Sequence, residues 1–215
     1  ARIAHVEQGR AGMAEGDFSG ETKALDQLDK ELPATEFLGY EQTETNNCEV
    51  LAVIRDGEIV DQAEEGSNVT VVLNQTPFYA ESGGQIGDIG FLTNHIGETI
   101  VEVKDTQKTE KPIYVHRGVV TGSSIKKGDK VGAVIDADRR LKIKCNHTTT
   151  HLLQSALKRL VGDHCSQAGS FVGPDALRFD FTHSEGLNPA LLKKIQEDVN
   201  KNILSDIPVR TEVME

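Results

Sequence analysis

Apolar residues come in short alternating runs through the first two thirds of the chain and at helical spacing in the last third. Cys48-Glu49-Val50-Leu51-Ala52-Val53-Ile54 is followed by Arg55-Asp56-Gly57-Glu58 and Ile59-Val60. Asp-Gly between two apolar runs predicts a hairpin. Further strands are predicted at Val69–Leu73, Thr99–Val103, Ile113–Val120 and Val131–Ile135. Many short strands with turn signals and no intervening helix point to a small closed barrel, with a sandwich as the other solution. The pattern changes at Asp136. Leu141, Cys145, Thr149, Leu152, Leu153, Ala156, Leu157 and Leu160 recur three and four residues apart between Asp138, a cap candidate, and Gly162, a stop signal. They predict a helix of about 23 residues. Strands follow at Gly169–Val172 and Leu177–Phe181. A second helix opens on Asn188 and Pro189 with a stripe of Leu192, Ile195, Val199 and Ile203, and Pro208–Val213 reads as extended. Before the barrel, Gly9, Gly12, Gly16 and Gly20 interrupt weak helical periodicity, which predicts a frayed helix or connector up to Pro33. The organisation expected is a connector or helical linker at 1–33, a β-barrel at 34–135 and an α+β domain at 136–215.

Composition narrows the class. The 215 residues are 37 % hydrophobic and 27 % charged, which excludes disorder, collagen-like repeats and coiled coil. No apolar run reaches the roughly 18 residues of a membrane span, and the N-terminus shows no secretory h-region. The missing initial Met reads as a segment of a longer chain. Three scattered cysteines fit reduced thiols in a cytoplasmic protein better than a disulfide framework. The sequons at Asn68, Asn74 and Asn146 are then chance matches.

The net charge of −11 is uneven: residues 1–100 carry −14 and residues 101–215 carry +3. Lys126, Lys127, Lys130, Arg139, Arg140, Lys142 and Lys144 form the basic stretch. It is either a polyanion contact, since the local field governs binding, or a solvated face.

Three segments could carry chemistry. In His147-Thr148-Thr149-Thr150-His151 two histidines four apart lie about 40° apart around a helix, so both rings can face one ion. A zinc peptidase is excluded: the position after the first histidine needs a general-base Glu, and Thr148 cannot serve. A zinc site also needs a third ligand, for which Cys145, His164, Cys165 and His183 are in-chain candidates, although Cys145 points roughly 200° away from His147. The second segment, Thr76 through Gly90, holds four glycines in eight residues and is either a barrel turn or a cleft loop presenting Gln85. It lacks the Gly-Lys-Ser/Thr ending of a phosphate loop. The third, His164-Cys165-Ser166-Gln167-Ala168-Gly169-Ser170, is a helix–strand connector or a polar ligand contact through Gln167 and Ser170.

Taken in this order, the segments resemble the middle region of the alanyl-tRNA synthetase family, including the editing domain shared with free-standing AlaX trans-editing proteins. The resemblance rests on Gln75-Thr-Pro-Phe-Tyr-Ala-Glu-Ser-Gly-Gly-Gln-Ile-Gly-Asp88, Asn146-His-Thr-Thr-Thr-His-Leu-Leu153, Ser166-Gln-Ala-Gly-Ser170, Leu177-Arg-Phe-Asp-Phe181 and Pro33-Ala-Thr-Glu-Phe-Leu-Gly-Tyr40. It implies an α+β fold: a small β-barrel followed by a truncated editing domain of the alanyl/threonyl-tRNA synthetase type. It implies hydrolysis of the ester of Ser-tRNA(Ala) or Gly-tRNA(Ala), within a parent that attaches alanine to tRNA(Ala) using ATP. Carried over by motif, His147 and His151 are zinc ligands and Thr150, Gln167 and Ser170 are catalytic-pocket positions. Gly83, Gly84 and Gln85 match a loop near the cleft. Arg139, Arg140, Lys142 and Lys144 are the expected tRNA-backbone contacts. The family completes its Zn2+ site with a Cys-x-x-x-His element, and no such spacing occurs in this sequence. The alternative is therefore a catalytically silent tRNA-binding or structural piece with half a metal site. The implied partners are mischarged tRNA(Ala) and the remaining domains of a synthetase, with no membrane.

Overall fold

Residues 15–208 are described in a computed structural model, with side chains from residue 20 onward. The element order opens with α1 (Glu15–Glu31), β1 (Glu36–Phe37), β2 (Glu44–Arg55), β3 (Glu58–Val60), β4 (Gln62–Glu64), β5 (Asn68–Leu73) and β6 (Gln75–Thr76). It continues with β7 (Gly90–Thr93), β8 (Thr99–Lys108), β9 (Tyr114–Val120), β10 (Ser124–Lys126) and β11 (Lys130–Ile135). The chain then forms α2 (Ala137–Leu160), β12 (Gln167–Val172), β13 (Leu177–Phe181) and α3 (Pro189–Leu204). Two compact units result. The first holds residues up to Glu81 together with Gly87–Ala137, and the second holds Ser82–Ile86 together with Asp138 onward.

In the first unit the strands run in the order β11-β7-β8-β9-β5-β2, and β11 pairs again with β2. Six antiparallel strands thus close on themselves, leaving no free edge in the ring. The barrel expectation holds. β5 shows how the pattern works. Val69, Val71 and Leu73 join Val50, Val53, Leu92 and Val101 in the barrel interior, while Val72 faces outward. That outer face is also dry, because Ala24 and Leu28 of α1 pack on Ala52, Ile54, Val72 and Val115. A strand buried on both faces reads as a continuous apolar run rather than an alternation.

Within the frayed helix or connector expected up to Pro33, Glu15–Glu31 form a helix. Its glycine is a packing device. A Cβ on Gly20 would stand 3.1 Å from the Gly57 Cα, so helix and hairpin touch backbone to backbone. Glu21, buried at 7 %, accepts from the Thr70 hydroxyl at 2.8 Å and from Arg117 Nε at 3.1 Å, which anchors the helix on the sheet. Gly57 occupies the turn at φ +79°, and a Cβ there would stand 2.9 Å from the Gly20 Cα. Gly57→Ala is expected to cost about 1–3 kcal/mol, from the left-handed backbone and the lost contact together. The shift in urea midpoint checks this, and an unchanged midpoint would refute the helix–hairpin docking.

The second unit builds on α2, the β12–β13 hairpin and α3. Ala156, Leu157, Cys165, Ile195 and Val199 form its core, with Leu152, Leu153, Val161, Phe179 and Phe181 packed around them. The second helix starts as expected. Pro189 is its first residue, and the Asn188 side chain accepts from Leu191 N at 2.9 Å. Ile195 and Val199 of the expected stripe are buried, with the partly buried Leu191 packed beside them, whereas Leu192 and Ile203 are half exposed. Asp138 falls in the first turn of α2, where its charge suits the helix N-terminus. The extended segment expected at Pro208–Val213 lies, past residue 208, outside the described residues. Among the described residues no helix is long and apolar enough to cross a membrane.

Candidate functional site

Within the second unit α2 displays the histidine pair. Their separation brings the His147 and His151 rings to 5.0 Å between centroids, nearly parallel at 22°. His147 is half-buried and His151 exposed. Burial, and then the neighbouring His151, hold the His147 imidazole below its usual pKa. The ring is therefore neutral at neutral pH, the state that binds a metal or accepts a proton.

A second segment fixes which nitrogen is free. Ser82-Gly83-Gly84-Gln85 is a tight turn with reciprocal Ser82–Gln85 backbone bonds of 3.0 Å, both central glycines having positive φ. This is the geometry of a type I′ hairpin, for which Gly-Gly is a preferred sequence. The turn docks on β12 through Val172 N to Gly84 O at 2.7 Å and Ile86 N to Val172 O at 3.2 Å. A side chain on Gly84 would sit 2.5 Å from Ser170 O, so the close approach requires glycine. The docking buries Gln85, whose Oε1 accepts from His147 Nδ1 at 2.7 Å. The hydrogen held on Nδ1 leaves the lone pair on Nε2, as partners of metal-binding histidines commonly arrange. The glycine-rich loop thus orients the histidine.

Sequence reasoning missed Asn146. Its amide donates to Gly173 O at 2.8 Å and to Pro174 O at 3.3 Å, tying α2 to the β12–β13 turn one residue before His147. Polarity next to the histidine was the visible signal, but the residue also belonged to a chance sequon. Thr150 is buried, and its hydroxyl donates to Asn146 O at 2.8 Å. Thr149 does the same toward Cys145 O. Ser170 lies on β12 opposite Phe179, and Gln167 opens that strand, exposed, opposite Phe181.

The metal donors do not all converge. Among the described residues no third His, Cys, Asp or Glu joins His147 and His151. The candidates His164, Cys165 and His183 form a separate group, with ligand atoms within 4.8 Å of one another. Cys145 is exposed on α2. The histidine pair therefore offers two donors fit for zinc and only two.

The basic residues also divide. Lys142 and Lys144 are exposed on α2, Arg139 is half-buried and Arg140 is buried at 8 %. Lys126 and Lys130 belong to strands of the first unit, where Lys130 pairs with Glu49 at 2.8 Å.

Similarity to known proteins agrees with this architecture. Residues 1–139 match the family described as tRNA synthetases class II (A). The chain is 44 % identical over 202 residues to an alanine-tRNA ligase of Acetivibrio thermocellus, covering 94 % of the chain and 22 % of that relative. It is 42 % identical over 214 residues to an alanine-tRNA ligase of Paracoccus denitrificans, covering 98 % of the chain and 24 % of the relative. The chain spans only between a fifth and a quarter of these relatives' length. A closed barrel under the matched family region, followed by a histidine helix within the same similar stretch, leaves one assignment: the chain belongs to the class II (A) tRNA synthetases.

Proposed function

We propose that the second unit hydrolyses the ester joining serine or glycine to tRNA(Ala), as the editing region of a synthetase that attaches alanine to tRNA(Ala) with ATP. One observation carries the reading: Gln85 holds the Nδ1 hydrogen of a neutral, half-buried His147 and so leaves Nε2 free to act. Editing answers a chemical limit, because an alanine site excludes glycine poorly and serine only modestly.

The chain's own groups take these roles. His147, kept neutral by burial, accepts or orients a proton at Nε2. Thr150 gives its own hydrogen to Asn146 O, so its oxygen remains an acceptor for the serine hydroxyl. Gln167 and Ser170 supply further polar contacts to the aminoacyl group. The buried Thr150 oxygen, left without the serine hydroxyl when the ester carries alanine, costs about 1–3 kcal/mol, which favours serine. Lys142, Lys144 and Arg139 meet the phosphate backbone, an attraction that salt weakens, while Arg140 is buried and is not part of that surface. Alternatively, Zn2+ would be held by His147 and His151, taking the Nε2 lone pair in place of a proton, and would polarise the ester or anchor the terminal adenosine. Because two ligands do not complete a zinc site, no step is routed through it.

The test is hydrolysis of Ser-tRNA(Ala) against Ala-tRNA(Ala) by the 215-residue chain, with and without zinc. Selective loss of the seryl ester is the expected result. A second reading, a silent tRNA-binding piece, is favoured by the absence of a third ligand beside the histidine pair among the described residues. It predicts no turnover and salt-sensitive binding, and that outcome would replace the first.

A further inference from the structure

The turn after α2 and the end of β13 bring together three donors that the histidine pair does not use. His164 Nε2 lies 2.8 Å from His183 Nδ1, and Cys165 Sγ lies 3.9 Å from His164 Nε2. The two imidazoles are nearly parallel, 5.1 Å between centroids. Around a tetrahedral zinc with bonds of about 2.0 Å to nitrogen and 2.3 Å to sulfur, neighbouring ligand atoms stand roughly 3.3–3.6 Å apart. The two edges that meet at His164 match that triangle to about half an ångström, and all three ligand atoms lie within 4.8 Å of one another.

The backbone holds the three residues rigidly. Thr182 N donates to Ser166 O at 3.0 Å, continuing the β12–β13 ladder to the residue before His183. The Thr182 hydroxyl donates to His164 O at 2.6 Å and accepts from Ser166 N at 3.0 Å. Cys165 N donates to Gly162 O at 3.1 Å, which closes the turn. Cys165 is fully buried and packs in the core of the unit, while His164 is exposed. The ligand group therefore has a dry thiol floor and an imidazole at the surface. All three lie beyond the end of α2, whereas His151 stands about 14 Å before that end along the helix axis. The two sites are distinct.

We infer that His164, Cys165 and His183 form a second metal site, for a borderline-soft divalent ion such as Zn2+, that clamps the end of α2 to the end of β13. One thiolate and two neutral imidazoles suit zinc better than Mg2+ or Ca2+, which prefer oxygen ligands. Without metal the two facing nitrogens share one hydrogen. On binding, that hydrogen moves to the remote nitrogen of the donor ring, and the Cys165 thiol releases one proton to solvent. Uptake therefore weakens as pH falls.

Co2+ reports on the site directly. Titrating the metal-free chain with Co2+ is expected to give visible bands of tetrahedral cobalt and a near-ultraviolet thiolate charge-transfer band. Cys165→Ala abolishes the charge-transfer band, Cys145→Ser leaves it unchanged, and His147→Ala leaves it unchanged. His183→Asn and His164→Gln, at the surface rather than in the core, abolish the tetrahedral spectrum without disturbing the fold. No thiolate band in the parent chain, or a band lost with Cys145 instead of Cys165, overturns the proposal. These readouts are independent of tRNA hydrolysis, so they stand whether or not the editing reading survives.

Discussion

Under the proposed editing reading, Gln85→Leu is expected to lower hydrolysis of Ser-tRNA(Ala) by about 10- to 100-fold, in line with the loss of an orienting partner beside His147. The change keeps the approximate volume of a buried side chain and removes its amide, including the acceptor 2.7 Å from His147 Nδ1. The ring is then free to turn and to place its hydrogen on either nitrogen. On the same reading, tRNA binding through the proposed phosphate contacts changes little. Gln85→Glu separates orientation from charge. Its carboxylate still accepts the Nδ1 hydrogen but favours the protonated ring, so the pH–rate profile moves upward while the maximal rate recovers. A purely structural Gln85 would lose rate in both variants with no pH shift. The nitrogen shifts of the His147 ring give a readout free of any assumption about activity. The parent holds one tautomer, and Gln85→Leu mixes the two. A mixed tautomer in the parent would remove the orienting role.

Legibility of the fold followed the source of each element's stability. Strands with strong periodic signals lie where the sequence put them: Val69–Leu73 within β5, Val131–Ile135 within β11, and Leu177–Phe181 as β13 itself. The helix expected between a cap at Asp138 and the stop at Gly162 runs Ala137–Leu160, so Asp138 lies within its first turn instead of capping it. β7 (Gly90–Thr93) was not foreseen, although it closes the ring between β11 and β8, because four residues beside a glycine-rich turn carry no period. The first helix was underestimated for a related reason. Local propensity counted Gly20 as a breaker, whereas the contact with Gly57, remote in sequence, selects a glycine there. At the site, spacing revealed the histidine pair, since four residues is a helical neighbour distance. The partnership of Gln85 with His147 is tertiary, and no local pattern encodes it. The assortment of His164, Cys165 and His183 into their own group is likewise a product of the β12–β13 pairing.

A loss of stability in mild acid is expected from the barrel interior, centred on His116. This residue has no exposed surface; Nδ1 donates to Val71 O at 3.0 Å, and Nε2 accepts from the Thr76 hydroxyl at 2.8 Å. The Thr76 oxygen is already the acceptor for Phe78 N at 3.1 Å, and the Phe78 ring packs edge-on at 5.1 Å. Every polar atom is thus satisfied by the neutral ring, and a charge there would be dry. Burial accordingly pushes the pKa down from 6.5 to about 4, against the pull of the Val71 carbonyl. A histidine whose folded pKa is depressed contributes stability that is complete above the unfolded value and is lost as pH falls toward the folded one. The window here runs from about pH 6.5 down to about 4. Between pH 7 and 4.5 this single group removes roughly 2 kcal/mol, at 1.36 kcal/mol per unit of pKa difference. His147, also depressed, acts in the same direction but is partly exposed. His116→Gln, which keeps a donor toward Val71 O, is less stable at pH 7 yet loses less on acidification. Urea unfolding of both proteins at pH 7 and 4.5, followed by the β-sheet signal, measures the difference. Equal acid losses in the two proteins, or a His116 ring resonance that titrates near pH 6.5, would show that water reaches the barrel interior.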